Sequence, residues 1–145
     1  MSSGKSEPFS ADLLALIFNG TTIAGLAQNA VSTPLTTFYV ALHTGQPDLT
    51  AGNQTVNEAA YTGYARQAVA RTSGGWVITG AVVNPTANVT FPTATGGSET
   101  ETFFSIGTAA TGAGLLLYAG PINPPIVVNT NVTPQLTTLT QATEQ

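Results

Sequence analysis

Hydrophobic and polar positions alternate along most of the chain with a period of two, and one segment near the start has a helical period instead. Residues 11–18 read ADLLALIF, and Leu14 and Ile17 fall on one face of a helix. Ser10 precedes this run as a predicted N-cap, and Gly20 follows it as a stop signal. The pattern therefore predicts one short N-terminal helix that buries an apolar face.

From residue 36 onward the period of two is typical of strands with one buried face. Further strands are predicted at residues 65–72, 75–79, 89–91, 102–108, 115–119, 126–128 and 132–139. Turn signals such as Asn84-Pro85 separate them, and Pro121, Pro124 and Pro125 are expected to interrupt the chain. This spacing predicts a mainly β, single-domain β-sandwich or jelly roll with a short N-terminal α-helix.

The pattern also divides the chain into three segments. Residues 1–9 are small and polar, which predicts a flexible arm that orders on a neighbour. Residues 10–136 form the predicted β-sandwich domain, including the helix, and residues 137–145 form a polar tail expected to fray. Residues 44–63 are rich in Gly, Pro, Asn and Thr and predict a long surface loop of the kind that is usually functional.

The low number of charged residues limits the kinds of partner that the chain is expected to bind. Charged residues make up 7% of the chain, against about 25% in an average soluble protein. Such a surface favours self-association, so we expect a homo-oligomer, either a dimer or a trimer. Lys5, Arg66 and Arg71 are the only cations and the net charge is −4, which argues against nucleic-acid binding. No apolar run approaches the roughly 20 residues of a membrane span, so a membrane is not an expected partner.

Candidate chemistry is sparse. The chain has no cysteine. Its single histidine is His43, and no serine lies in the G-x-S-x-G motif of a catalytic nucleophile, so we predict a structural or solvent-facing role for His43. Glu99 and Glu101 are the only close acid pair and are expected to be solvated beside a turn. The oxygen ligands of residues 48–58 lack EF-hand spacing. We therefore expect no catalytic, cofactor-binding or metal-binding residues and no enzyme activity.

One cluster differs from the rest of the chain. Tyr61, Tyr64 and Arg66 lie close together in a chain with few residues of either type, and aromatic residues and Arg are enriched at interfaces. With Phe9 of the arm, they are the predicted partner contacts. An equally weighted alternative is that the two tyrosines cover the core with their hydroxyls in water while Arg66 pairs with Glu58.

Three runs resemble a family of small virion structural proteins of tailed bacteriophages: FYVALHTGQPD at residues 38–48, NEAAYTGYARQAV at 57–69 and FFSIGTAATGAGLLLYAGPI at 103–122. Members of that family typically show a strand ending in LHT, a loop, and then N-E-x-x-Y-x-G-Y-x-R. They are described as head decoration, or cement, proteins and also as tail-fibre or minor structural proteins.

The resemblance implies a virion protein made in the cytoplasm of a host bacterium. The first expectation is a cement protein on the capsid surface that binds across junctions of the major capsid protein and stabilises the shell. The alternative is a tail or tail-fibre component that contacts a host receptor. A third hypothesis, an enzyme such as a depolymerase or esterase, would depend on His43.

Overall fold

A computed structural model of the chain describes residues 5–24, 26–27 and 33–144. The elements are α1 (Glu7–Asn19), β1 (Thr37–His43), β2 (Gln67–Ala70), β3 (Trp76–Thr79), β4 (Val82–Pro85), β5 (Val89–Thr90), β6 (Glu99–Gly107), β7 (Leu116–Val128), β8 (Gln135–Leu136) and β9 (Ala142–Thr143). The fold is mainly β, with antiparallel sheets and one short N-terminal helix. The prediction of a β-sandwich with such a helix is confirmed.

Helix α1 begins at Glu7, four residues before the predicted start at residue 11. Ser6 is the N-cap, and its hydroxyl accepts the Phe9 amide at 3.4 Å. Ser10 lies inside the first turn instead, because its amide already donates to the Ser6 carbonyl at 3.0 Å. The last residues of the predicted flexible arm are therefore helical, and residues 1–4 of that arm lie outside the described residues.

The end of α1 follows the prediction. Asn19 is the last helical residue, and Gly20 takes a left-handed conformation with φ of 67°, which suits a residue without a Cβ. The guanidinium of Arg71 donates to the carbonyl of Leu16 at 2.6 Å and also to that of Ile17. A cation thus covers the negative end of the helix dipole and ties the helix to the chain after β2.

The main sheet has four antiparallel strands in the order β2-β1-β6-β7. β1 is central and pairs Phe38 with Val69 of β2 and Val40 with Ile106 of β6. A three-stranded sheet, β3-β4-β9, and the β5-β8 pair complete the architecture. β1 ends at His43, where the long loop predicted from the sequence begins.

Two strands, β4 and β9, were not predicted. β4 includes Asn84 and Pro85, which were wrongly predicted as a turn. β9 pairs only with Val82 and Val83, so Pro85 has a strand partner on one side only and its missing amide hydrogen costs little. β9 itself lies in the segment that was predicted as a fraying tail.

β7 corrects a prediction in part. It runs from Leu116 to Val128 and includes the three prolines that were expected to interrupt the chain, but residues 122–125 have no partners in β6. β7 is an edge strand with β6 on one side, and edge strands tolerate proline because an unpaired side needs no amide hydrogen. A register shift lies between Glu101 and Phe103 of β6, opposite this part of β7.

An aromatic cluster joins the helix to the sheets. Phe18 is fully buried, and its ring lies 4.8 Å from Trp76, 5.3 Å from Phe38 and 5.8 Å from Tyr118, measured between centroids. Trp76 is 2% exposed, as expected for a large residue at the start of an alternating strand. The helix therefore closes one end of the core, and its apolar face is buried as predicted.

Candidate functional site

The loop of residues 44–66 crosses the surface between β1 and β2, and side chains hold it in place. The Asp48 carboxylate accepts two backbone amides of the following turn, each at 2.9 Å. The Ala59 amide then donates to the Leu42 carbonyl at 2.8 Å, which returns the loop to β1. The loop is long but its conformation is fixed by its own polar groups.

Arg66 is the centre of a buried polar network beneath this loop. Its guanidinium donates from Nε to Glu58 Oε1 at 2.6 Å and from one Nη to Glu58 Oε2 at 2.8 Å. It also donates to the carbonyls of Ala109 and Gly112 at 2.8 and 2.7 Å, and to Gln54 Oε1 at 3.3 Å. All five N–H groups of the guanidinium therefore have acceptors, and the hydrogen-bonded Glu58 raises the pKa of Arg66.

The two tyrosines of the predicted cluster turn inward. The Tyr64 hydroxyl donates to Glu58 at 3.1 Å and accepts the Leu42 amide at 3.2 Å, and burial, followed by the charge of Glu58, raises the pKa of Tyr64. The Tyr61 hydroxyl donates to the Pro92 carbonyl at 2.9 Å. Neither hydroxyl depends on water, so that part of the alternative interpretation was wrong.

His43 and Ser105 form a second buried part of the network. His43 Nδ1 lies 3.0 Å from the Val56 carbonyl, which can only accept, so Nδ1 carries the hydrogen and Nε2 accepts the Ser105 hydroxyl at 2.8 Å. Burial lowers the pKa of His43. A serine hydrogen-bonded to a histidine resembles a catalytic nucleophile and its general base. Both residues, however, are 0% exposed. Substrate has no access to this pair.

The network requires a glycine beneath Gln54. The Gln54 amide donates to Ser105 at 3.1 Å and to the Tyr39 carbonyl at 3.2 Å. A Cβ on Gly107 would lie 2.1 Å from Gln54 Oε1 and 2.8 Å from the Leu115 carbonyl. Gly107, within the run of residues 103–122 on which the resemblance rests, therefore leaves the space that the Gln54 amide occupies.

The acid pair Glu99 and Glu101 is not the solvated decoration that was predicted. Glu99 Oε1 accepts the amides of Ala60 and Tyr61, both at 2.8 Å. Glu101 is 0% exposed. Burial first, and the neighbouring Glu99 second, raise the pKa of Glu101 to about 8. The same two acids, after burial, raise the pKa of Tyr61 to about 12.

The four predicted contact residues fall in two places. Tyr61, Tyr64 and Arg66 are brought together as predicted, but Tyr61 and Arg66 are only 3% and 8% exposed. Phe9 lies on the first turn of α1 and is 38% exposed. The observed pairing of Arg66 with Glu58 confirms that part of the alternative interpretation, and the burial is a correction to a surface role for Tyr61 and Arg66.

Two other kinds of site are absent from the described residues. Within residues 5–24, 26–27 and 33–144, no group of three or more His, Asp or Glu side chains is arranged to hold a metal ion. In the same part of the chain, no helix is both long enough and apolar enough to cross a lipid bilayer.

Fold and site together define a class of protein: a charge-poor β-sandwich whose polar side chains fix a long loop. The chain matches the family described as podophage GP4 fiber I protein gp80 over residues 9–141, which is most of its length, and it belongs to that family. It is therefore a structural protein of a bacteriophage virion. No curated protein matches the sequence.

This result sharpens the expectation drawn from the resemblance. A virion structural role is confirmed, whereas nothing in the match supports decoration of the capsid surface. The family description names a fibre protein, which agrees better with the tail-fibre alternative than with the cement protein that was expected first.

Proposed function

We propose that this protein is a structural component of a podophage tail fibre and acts by assembly, without catalysis. The observation that carries the proposal is the family match across residues 9–141 to a protein described as fibre I. A fibre module needs a rigid fold and surfaces for neighbours, and it needs no reactive group. The inaccessible His43–Ser105 pair is in keeping with that role.

Self-association is part of the proposal. Large apolar side chains lie at the surface in several places: Leu26, Leu35, Leu49, Leu115, Val127 and Leu139 are each at least half exposed. Few charges surround them, because only 10 of the 145 residues are acidic or basic (3 Lys or Arg plus 7 Asp or Glu). Neighbouring copies can bury such side chains with little charge to desolvate. We expect a dimer or a trimer in solution.

The rigid loop of residues 44–66 is the surface that we propose for contact with a host receptor. Polar side chains below the loop fix its conformation before any partner binds, so binding orders few additional groups. Leu49, at the outer side of the loop, is 56% exposed. Purified protein added to host cells should then compete with the phage and slow its adsorption, while Leu49→Asp should compete less well.

Immunogold labelling of intact virions tests the location. Antibodies against the chain should label the tail fibres and leave the head unlabelled. Label confined to the head would reject the fibre proposal and return the protein to the capsid surface and the major capsid protein. Light scattering on the purified chain tests self-association, and a monomer at every concentration would reject it.

A further inference from the structure

Two carboxyl groups meet where the loop containing Tyr61 rests on β6. The carboxylate of Glu99 faces this loop and accepts two of its amides. Glu101 is fully buried, and no donor in the described part of the chain reaches either of its oxygens as a carboxylate. A buried carboxylate without a donor is strongly unfavourable, whereas a protonated carboxyl can itself donate.

We propose that Glu99 and Glu101 share one proton, donated by Glu101 to Glu99, and that this proton locks residues 59–62 onto β6. Glu99 then accepts the Glu101 hydroxyl as well as the Ala60 and Tyr61 amides, and Glu101 becomes a neutral group in an apolar site. The arrangement is stable only while the proton is present. Its loss places a second negative charge beside Glu99 without water to solvate it.

The described groups that surround Glu99 and Glu101 do not neutralise the charge of this pair, which leaves that role to the proton. Opposite Glu101 in β7 lies Ile126, which carries no charge. From the loop, the titratable group is the Tyr61 phenol, which is neutral at physiological pH. Of the two acids of the loop, Glu58 is already bound by Arg66 and Asp48 accepts two amides of its own turn. Residues 90–98 contain no ionisable side chain. Within the part of the chain that the structure describes, no cationic side chain hydrogen-bonds to Glu101.

The direct test is a carbon-13 NMR titration of the glutamate side-chain carboxyl groups in the intact chain. The Glu101 carboxyl should titrate with a midpoint near pH 8, in line with its raised pKa. A midpoint near the ordinary value of about 4.3 would overturn the proposal. This measurement requires no variant, so a substitution that prevents folding cannot obscure it.

Hydrogen exchange tests the lock itself. At pH 9, the amides of Tyr61 and Thr62 in the wild type should exchange at least tenfold faster than in Glu101→Gln, whose neutral amide keeps a donor toward Glu99. At pH 6.5 the two proteins should be equally protected. Comparison at one pH removes the intrinsic pH dependence of exchange. Equal protection at pH 9 would overturn the lock even if Glu101 titrates as expected.

Asp12→Asn is the matched control, because Asp12 is an exposed acid on α1 and its replacement should leave both measurements unchanged. Calcium provides the remaining test. If calcium at pH 9 restored protection of the loop and a chelator removed it, the two carboxylates would bind a cation in place of a proton, and the proposal would be wrong. The inference does not depend on whether the protein belongs to a fibre.

Discussion

The buried guanidinium of Arg66 donates two parallel hydrogen bonds, of 2.6 and 2.8 Å, to the carboxylate of Glu58. Its side chain is 1% exposed, whereas that of Glu58 is 19% exposed. Two of the three remaining donors of Arg66 reach the connection between β6 and β7, and the third reaches Gln54. One side chain thus joins two loops that are distant in sequence.

Arg66→Ala should lower the free energy of unfolding by about 3 kcal/mol, because it leaves Glu58 without its cation and two carbonyls without donors. Urea denaturation at pH 7 measures the loss. Lys5→Ala is the comparison, since the Lys5–Glu144 pair is more exposed and should contribute less than about 1 kcal/mol. Similar losses in both variants would mean that Arg66 is not the main tie of the loop.

Gly107→Ala should destabilise the fold by about 1–3 kcal/mol, because the added methyl collides with the Gln54 amide and the Leu115 carbonyl. Gly74→Ala is the matched control, since its Cβ would meet only Thr72 Oγ1, at an ordinary 3.5 Å. Thermal unfolding of both variants provides the measurement. A Gly107→Ala protein as stable as the control would show that Gln54 has space to move.

His43 should make the protein less stable in mild acid. Its pKa is lowered in the fold by burial, so the unfolded chain takes up a proton near pH 6.5 while the folded chain does not. The free energy of unfolding should therefore fall as the pH decreases below about 6.5, and level off below the folded pKa. Urea titrations of the wild type and His43→Gln between pH 5 and 7 measure this contribution.

The comparison with His43→Gln is needed because Glu101 has the opposite effect. With its pKa raised to about 8, Glu101 makes the folded chain hold a proton that the unfolded chain has released, so stability falls as the pH rises from about 4.5 to 8. The difference between wild type and variant cancels this contribution. A difference that stays constant over the whole range would rule out His43 as the acid-sensitive group.

Phe18→Ala should cost about 3–5 kcal/mol, since it removes a fully buried ring that contacts three other aromatic rings. Phe9→Ala, on the exposed first turn of the same helix, should cost less than about 1 kcal/mol in the isolated chain. Circular dichroism during urea unfolding measures both. If Phe9→Ala also weakened self-association, the predicted partner contact at Phe9 would gain support.

The sequence predicted those features that local chemistry decides. Asn19-Gly20 ended the helix because glycine adopts the left-handed conformation that the end requires. The strand through Pro85 was missed, because proline reads locally as a turn and only the short partner strand β9 explains why it is tolerated. Whether a residue has strand neighbours on both sides depends on the tertiary structure and not on the local sequence.

The candidate site was predictable to a similar degree. The spacing of Tyr61, Tyr64 and Arg66 predicted that they act together. The inward direction of Arg66, however, depends on two carbonyl acceptors more than 40 residues away, in the connection between β6 and β7. The burial of Ser105 and Gln54 was not predicted, because nothing local marks a buried hydroxyl or amide. Glu101 was wrongly predicted to be solvated because its burial depends on segments distant in sequence, such as β7, in which Ile126 lies opposite Glu101.

The prolines of β7 affect how this edge of the sheet can meet another chain. A nascent or partly unfolded chain that contacts the free edge of β7 finds no continuous row of backbone amide hydrogens with which to pair. Edge-to-edge pairing of sheets along β7 is therefore disfavoured. A neighbouring chain that packed on this side would have to do so through side-chain surfaces.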